Sequence, residues 1–456
     1  MQKNFDIICI GAGPTSLNCA YKLIKENPNL SIAIFDKGRR LLDRKASSIE
    51  GIGGAGAYSD FKFTITNDFG GNLWEKIGKK KSIDLQKDVD EINKTLFMRV
   101  TNKDYPKLHT SNNSTYKKIC TQHNLHLLDA DIRHLGTDFG QMIYEELYKE
   151  LIKNNVKFYI ETEVKDISFD EISKKYTINT FDIANKITNS FEATYIVLAG
   201  GRSGSKWVKN ICESLNIQTI SNKVDLGIRF ECPDEIWDHI TKDLYECKVV
   251  YKTKTYEDNV RTFCMNPSGL VALEKTKNGI TVNGHAYEDP AKKTKNTNFA
   301  LLVNKTLTEP FNNSSDYGEA IVKLSNMVGG GVIVQRYGDL IRGKRSTKDR
   351  LKNNTVIPTL DAEPGDLSLV LPKRILDDII EMIQALDHLV PGMINDDNLL
   401  YGIEVKYYNN IVNVDADLQA KENLFVGGDT SGWTHSLSQA SASGLYIAEK
   451  ILEKFN

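Results

Sequence analysis

The run Gly11-Ala12-Gly13-Pro14-Thr15-Ser16, with Asp36 behind it, combines small residues and a carboxylate at a spacing suited to phosphate and sugar. Glycines at such a turn let an anion approach main-chain N–H groups where a helix begins, and the positive end of the peptide dipole favours it there. Asp36 lies 20 residues after Ser16, where a carboxylate reaches ribose hydroxyls and disfavours a 2′-phosphate. A second run, Gly427-Gly428-Asp429, is followed at once by Trp433, His435 and Ser436. Imidazole titrates near neutral pH, so His435 suits a general acid or base. A histidine that only hydrogen-bonds a helix start fits the position equally well.

The elements around these residues must hold them. Phe5 to Ile10 is a continuous apolar run, as in a buried parallel strand; Leu17 to Lys25 is an amphipathic helix; Ser31 to Phe35 is a second strand ending at Asp36 and Lys37. Strand, glycine turn, helix, strand and acid form the dinucleotide-binding βαβ unit. Gly11 serves the tight turn and Gly13 the approach of a pyrophosphate. Ser16 is small enough for close helix–strand packing. Tyr195 to Ala199, ending in Gly200-Gly201, and Asn423 to Val426, ending in Gly427-Gly428-Asp429, read as two further buried strands, and a helix from Ser438 to Leu452 follows. Gly51-Ile52-Gly53-Gly54-Ala55-Gly56 repeats the glycine spacing with no strand before it and no helix after it. It is read as flexible backbone passing close to the bound group. No other segment offers a second nucleotide site.

From Leu226 to Val303 the pattern turns to alternating strands, with helices expected at 317–328 and 373–387. A mostly antiparallel sheet with one packed face and one pocket face follows. Arg261 on one of these strands suits a carboxylate or phosphate, although an exposed strand arginine is an equal reading. His285 and Tyr287 are candidates for the same wall. Cys264 reads as a small core residue rather than a nucleophile. Lys344 to Lys348 reads as a solvated basic loop that could also greet an anion.

The totals are those of a two- or three-unit globular chain: 456 residues, 40% apolar, 26% charged and 9% aromatic. With 58 basic and 60 acidic residues, no footprint for nucleic acid appears. No apolar run approaches the ~20 residues of a membrane helix, and no secretory signal is read. Seven cysteines include no C-x-x-C pair, so no metal site is expected and reduced thiols in the cytoplasm fit best.

Several motifs carry a wider resemblance. Gly53-Gly54-Ala55-Gly56-Ala57-Tyr58-Ser59-Asp60, His134-Leu135-Gly136-Thr137-Asp138, Phe263-Cys264-Met265-Asn266-Pro267-Ser268-Gly269 and Asn283-Gly284-His285-Ala286-Tyr287 resemble, in order, the motifs of the uncharacterised FAD-dependent dehydrogenases, flavoproteins of the glutathione-reductase-like class. The chain departs from the family pattern at Asn266, Ser268, His285 and the turn after Asp429. The resemblance implies FAD held by Gly11, Gly13, Pro14, Thr15, Ser16, Asp36, Lys37, Gly53, Gly54, Ala55, Gly200 and Gly201. It implies a backbone group near Val164 at the adenine, Gly428 and Asp429 at the ribityl chain, and Ser436 and Ser438 beneath the ring. The fold it implies is α/β: a discontinuous Rossmann-like FAD-binding domain, 1–205 and 395–456, with a helical insertion at about 60–125. A mostly antiparallel β plus α substrate domain, 206–394, is inserted in it.

The implied activity is hydride transfer between flavin N5 and a small or medium organic substrate, with His435, Arg261 and His285 as catalytic candidates. NADH, NADPH or a redox partner protein is the candidate electron donor. An FAD monooxygenase is the alternative, disfavoured because Gly428-Asp429-Thr430-Ser431-Gly432 lacks the alanines and proline of the aromatic hydroxylases. A non-catalytic flavoprotein or redox sensor is the third.

Overall fold

A computed structural model describes residues 2–44, 49–244, 246–276, 279–287, 290–308, 310–311 and 313–455. The chain forms two compact units: Met1–Leu108 with Ala130–Ile220 and Tyr408–Asn456, and His109–Asp129 with Ser221–Tyr407. The principal elements run, in chain order, β1 (Asn4–Ile10), α1 (Pro14–Glu26), β2 (Ile32–Phe35), β3 (Lys157–Tyr159), β4 (Ile187–Leu198), β5 (Val224–Pro233) and β6 (Val249–Lys252). They continue with β7 (Asn259–Asn266), β8 (Asn296–Lys305), β9 (Ile333–Arg336), α2 (Lys373–Asp387), β10 (Leu399–Tyr407), β11 (Leu424–Val426) and α3 (Leu437–Leu452).

The units divide elsewhere than at the expected 205/206 and 394/395. The helix Ser205–Ser214 buries Val208, Ile211 and Cys212 in the first unit's core, so the chain leaves that unit later. Strand β10 pairs with both β5 and β9 and therefore belongs to the second unit. Residues 109–129 join the second unit through Leu125–Leu127, which pairs with β6.

In the first unit β11, β4, β1, β2 and β3 lie side by side, all parallel. Ile7, Ile8 and Cys9 are fully buried, which is why β1 reads as an unbroken apolar run. Bonds continue across the sheet's C-terminal edge: Gly427 donates to Leu198 (3.2 Å), Ala199 to Ile10 (2.9 Å), Gly11 to Phe35 (2.7 Å) and Asp36 to Tyr159 (3.0 Å). Gly11 is required there, because its φ is +101° and a Cβ would lie 2.2 Å from the Ala199 carbonyl oxygen. Helices α1 and α3 pack face to face, close enough that a Cβ on Gly444 would lie 2.1 Å from the Thr15 oxygen.

The second unit's sheet runs β9, β10, β5, β8, β7, β6 and is antiparallel throughout these pairs. Leu226, Ile228 and Phe230 of β5 alternate toward a core shared with Phe299, Leu301, Val303 and the α2 side chains Ile379, Met382 and Ile383. Fully burying each such side chain contributes roughly 1.5–3 kcal/mol. Within α2, Asp378 accepts from the Thr253 hydroxyl (2.7 Å) and faces Asp258. Burial, first, and the neighbouring Asp258 push Asp378 up to about 6. Asp258 is drawn down to about 2, against its own burial, by Arg374, Lys305 and Asp378. No helix among the described residues is long and apolar enough to cross a membrane.

Gly444→Ala will force α3 away from α1 and cost about 1–3 kcal/mol of unfolding free energy in urea titrations; an unchanged midpoint would refute the close contact. The Asp378 carboxyl has a folded pKa above its unfolded value, so it costs stability as pH rises from about 4 through about 6. Asp378→Asn will therefore gain more over the wild type at pH 7.5 than at pH 4.5. Equal differences at both pH values would show that Asp378 does not titrate as assigned.

Candidate functional site

The first site lies along the C-terminal edge of the parallel sheet. Helix α1 starts at Pro14 with Gly13 extended as its N-cap, no side-chain cap and no acidic residue in its first turn. A proline at the first position gives up a donor that would be unpaired anyway. The following N–H groups have no intrahelical acceptor, which makes this end an anion cradle. A Cβ on Gly13 would meet nothing within 4 Å. The Ser16 hydroxyl is fully buried and has no hydrogen-bond partner among the described residues. The residues therefore fit a dinucleotide: open space, uncapped donors and a spare hydroxyl converge on one turn.

Asp36 sits beside this turn. Its Oδ2 accepts from Ala12 N–H (2.7 Å), and its Oδ1 accepts from Gly38 N–H (2.7 Å) and Gly51 N–H (2.8 Å). Burial pushes its carboxyl up, and these three bonds pull it back toward the ionised form. Oδ1 is occupied on both lone pairs, whereas Oδ2 keeps one for a sugar hydroxyl. Lys37 pairs with Glu50 at 2.6 Å.

The glycine loop 51–56 corrects one expectation: it is pinned rather than flexible. Gly53 donates to Ala12 (2.9 Å), Gly51 to Asp36, and the buried Arg44 guanidinium reaches the carbonyls of Ile52 and Gly54 (2.9 Å to the latter). Gly54 comes so near that a Cβ there would lie 3.2 Å from Gly13 Cα. A 3₁₀ turn, Gly54–Tyr58 with Ala55 in it, follows directly. Val164 lies on the hairpin strand Thr162–Asp170, opposite Thr180, with its side chain buried.

The strand-end turns meet one another. Gly201 N–H donates to the Thr430 hydroxyl (2.7 Å), and the Asn409 amide donates to the carbonyls of Gly201 (3.1 Å) and Asp429 (2.8 Å). Gly200, Gly201, Gly428 and Asp429 are thus brought together, with the Arg202 guanidinium 3.7 Å from the Asp429 carboxylate. Beyond them Ser436 caps α3, accepting from Gln439 N–H, and its hydroxyl lies 3.2 Å from that of Ser438. His435 donates its backbone N–H to Gly70 (2.8 Å), and its ring lies 4.3 Å from that of Tyr408. Asn409, Thr430 and Arg44 escaped the sequence reading, since isolated polar residues carry no spacing signal.

The second unit holds a different arrangement. On the face of β5 opposite its core, Asp225, Arg229 and Glu231 are each fully buried. Arg229 donates from Nε and Nη2 to the two oxygens of Glu404 (both 2.7 Å) and from Nη1 to Asn298 Oδ1 (3.0 Å). Glu231 accepts from Tyr401 (2.6 Å), Asn296 and Thr359. Burial raises the Glu404 carboxyl, and Arg229 opposes that rise. Arg261, read as an exposed strand arginine or a substrate anchor, is ion-paired with Asp225. His285 ends a separate two-stranded hairpin, opposite Leu270, and is exposed, as is Tyr287. The alternation of charge at 225, 229 and 231 was the signal available for this face. Cys264 is the one partly exposed cysteine among the described residues. None of these residues forms a three-ligand metal cluster.

Comparison with known proteins agrees with the FAD-dependent family read from the motifs. Residues 226–407 match the family described as "FAD-dependent protein, C-terminal domain-like". An uncharacterised protein of Clostridium beijerinckii is 26% identical over 352 residues, covering 71% of this chain and 62% of that protein. The chain thus spans 62% of the length of the curated relative it matches. Among solved structures, a formate oxidase is similar at 12% identity over 99% of both chains, with a TM-score of 0.49. Mycobacterium smegmatis Sdh1, solved with UQ1, is similar at 14% identity over 99% of this chain and 69% of its own, with a TM-score of 0.46.

Arg229→Met will leave Glu404 buried without its partner and cost about 3–5 kcal/mol of stability. The double variant Arg229→Met/Glu404→Met will recover most of that loss, as read by urea unfolding. A single variant as stable as the wild type would mean that Glu404 is not confined as described.

Proposed function

We propose that this chain, whose residues 226–407 match an FAD-dependent protein family, is an FAD-dependent oxidoreductase acting on a small or medium organic substrate. The observation that carries the reading is the open, uncapped first turn of α1 at the edge of a parallel sheet. When bound, FAD supplies hydride transfer at its N5. The unit of residues 1–108, 130–220 and 408–456 is the FAD-binding domain in this reading, and the unit of 109–129 and 221–407 is the substrate domain.

The chain's own residues hold and orient. The N–H groups of Gly13, Thr15 and Ser16 take the pyrophosphate, and Asp36 Oδ2 takes a ribose hydroxyl. Lys37 and the pinned loop Gly53-Gly54-Ala55 close over that turn, and the backbone near Val164 meets the adenine. Gly200, Gly201, Gly428 and Asp429 hold the ribityl chain. Ser436 and Ser438 stand at the N-terminus of α3, whose dipole favours negative charge beside it. His435 holds or delivers a proton, and its backbone bond to Gly70 fixes the turn. Arg261 and His285 are the candidates on the substrate side. The electron donor in this reading is NADH or NADPH bound transiently, or a redox partner protein, and the setting is cytoplasmic.

The purified protein will show flavin absorption that bleaches under anaerobic titration with NADH or NADPH, and a colourless protein that FAD cannot reconstitute would refute the reading. Gly13→Val is a clean probe, because its Cβ enters open space and leaves the apoprotein fold intact. It will keep its melting temperature and lose FAD, as will Asp429→Ala. His435→Ala will keep FAD while its turnover falls about 10²–10⁴-fold; full turnover would assign that histidine to structure alone.

A further inference from the structure

The charged face of the second unit's sheet converges on one aromatic ring. Arg261 and Phe263 alternate on β7 and so point to one face. Pairing of Val250 with Arg261 puts Lys248 on that face, and pairing of Lys406 with Asp225 puts Lys406 there as well. All three cations lie over the Phe263 ring, at 4.1 Å for Lys406, 4.8 Å for Arg261 and 5.6 Å for Lys248. On the strands between them the face carries the small residues Gly227 and Ala300 with Leu302 alongside, flanked by Asp225, Asn304 and Arg229.

Three like charges around one ring repel one another, and partial burial strengthens the repulsion. Carboxylates moderate it: Asp225 pairs with Arg261, Glu246 with Lys248 at 3.3 Å, and Lys406 lies near Glu404. Two of these have further bonds of their own. Glu404 is bound twice by Arg229, and Asp225 also accepts from Asn304 (3.2 Å). An anion arriving at Phe263 would gain attraction from all three cations, with apolar contact from Phe263, Ala300 and Leu302. On the same face, next to Arg229, the fully buried Asn298 amide nitrogen has no hydrogen-bond partner among the described residues and offers a donor.

We propose that Lys248, Arg261 and Lys406 around Phe263 bind the anionic end of the substrate, which makes the substrate an organic carboxylate or phosphate ester. The word substrate here rests on the oxidoreductase reading above; the anion site itself does not. Calorimetric titration of the flavin-loaded protein with benzoate, phenyl phosphate and neutral benzamide tests it. Benzoate or phenyl phosphate will bind at least tenfold more tightly than benzamide, and whichever is tighter names the anion. Lys406→Met and, independently, Lys248→Met will each weaken that binding roughly tenfold while keeping the flavin spectrum and melting temperature. Lys242→Met, at the exposed C-cap of the helix Asp234–Thr241, will not. Equal binding of benzamide, no binding of either anion, or wild-type binding in both lysine variants would overturn the proposal. A protein without flavin would instead overturn the oxidoreductase reading and leave the anion titration to be judged alone.

Discussion

The first turn of α1 must stay uncapped while everything around it closes. A buried N–H group left without an acceptor costs about 1–3 kcal/mol. Among the described residues no side chain caps this turn: Gly13 has no side chain, and the nearby carboxylate of Asp36 is turned to Ala12, Gly38 and Gly51. The unit tolerates this because its other contacts are tight. Gly11 lies against Ala199, Gly444 against Thr15, and the main-chain bonds along the sheet edge run without a gap from Gly427 to Asp36. A rigid frame keeps the open turn from collapsing onto itself.

The second unit spends stability differently. Burying Arg229 with Glu404, and Glu231 with Tyr401, takes ions and polar groups out of water, and a well-packed apolar pair in such a place is often more stable. The apolar face of the same sheet shows that this chain can build such packing, with Leu226, Ile228 and Phe230 one residue away from each charge. A face that is charged although a core face lies on the reverse of the same strand is arranged for something other than cohesion. Recognition of a polar ligand is the use that fits.

Much of the first unit was legible in the sequence, because its signals are local. The glycine spacing at Gly11 and Gly13, the unbroken apolar run of β1 and Asp36 at the end of β2 each follow from one element's geometry. What escaped depends on distant chain segments meeting. Asn409 joins Gly201 to Asp429 across more than 200 residues, and Arg44 pins a loop that reads as loose only because glycines are loose in isolation. Arg261 shows the limit from the other side. Its type and strand were read correctly, but its partner Asp225 lies two strands away and no spacing rule connects them. The compact units divide at other residues than expected for the same reason, since only pairing with β5 and β9 assigns β10.

The two units therefore divide chemistry by the kind of group they use. The first presents backbone: the N–H groups of Gly13, Thr15 and Ser16 and carbonyls and amides at the strand-end turns, with side chains such as Asn409 and Arg44 holding that backbone in place. Backbone recognition depends on conformation, so glycines, which set conformation, are what the sequence must keep there. The second presents side chains from alternate positions of β5, β7 and β10, where one substitution changes charge without changing the ladder. Exchange of Arg261 or Lys406 can alter what such a face accepts while the strands stay in register.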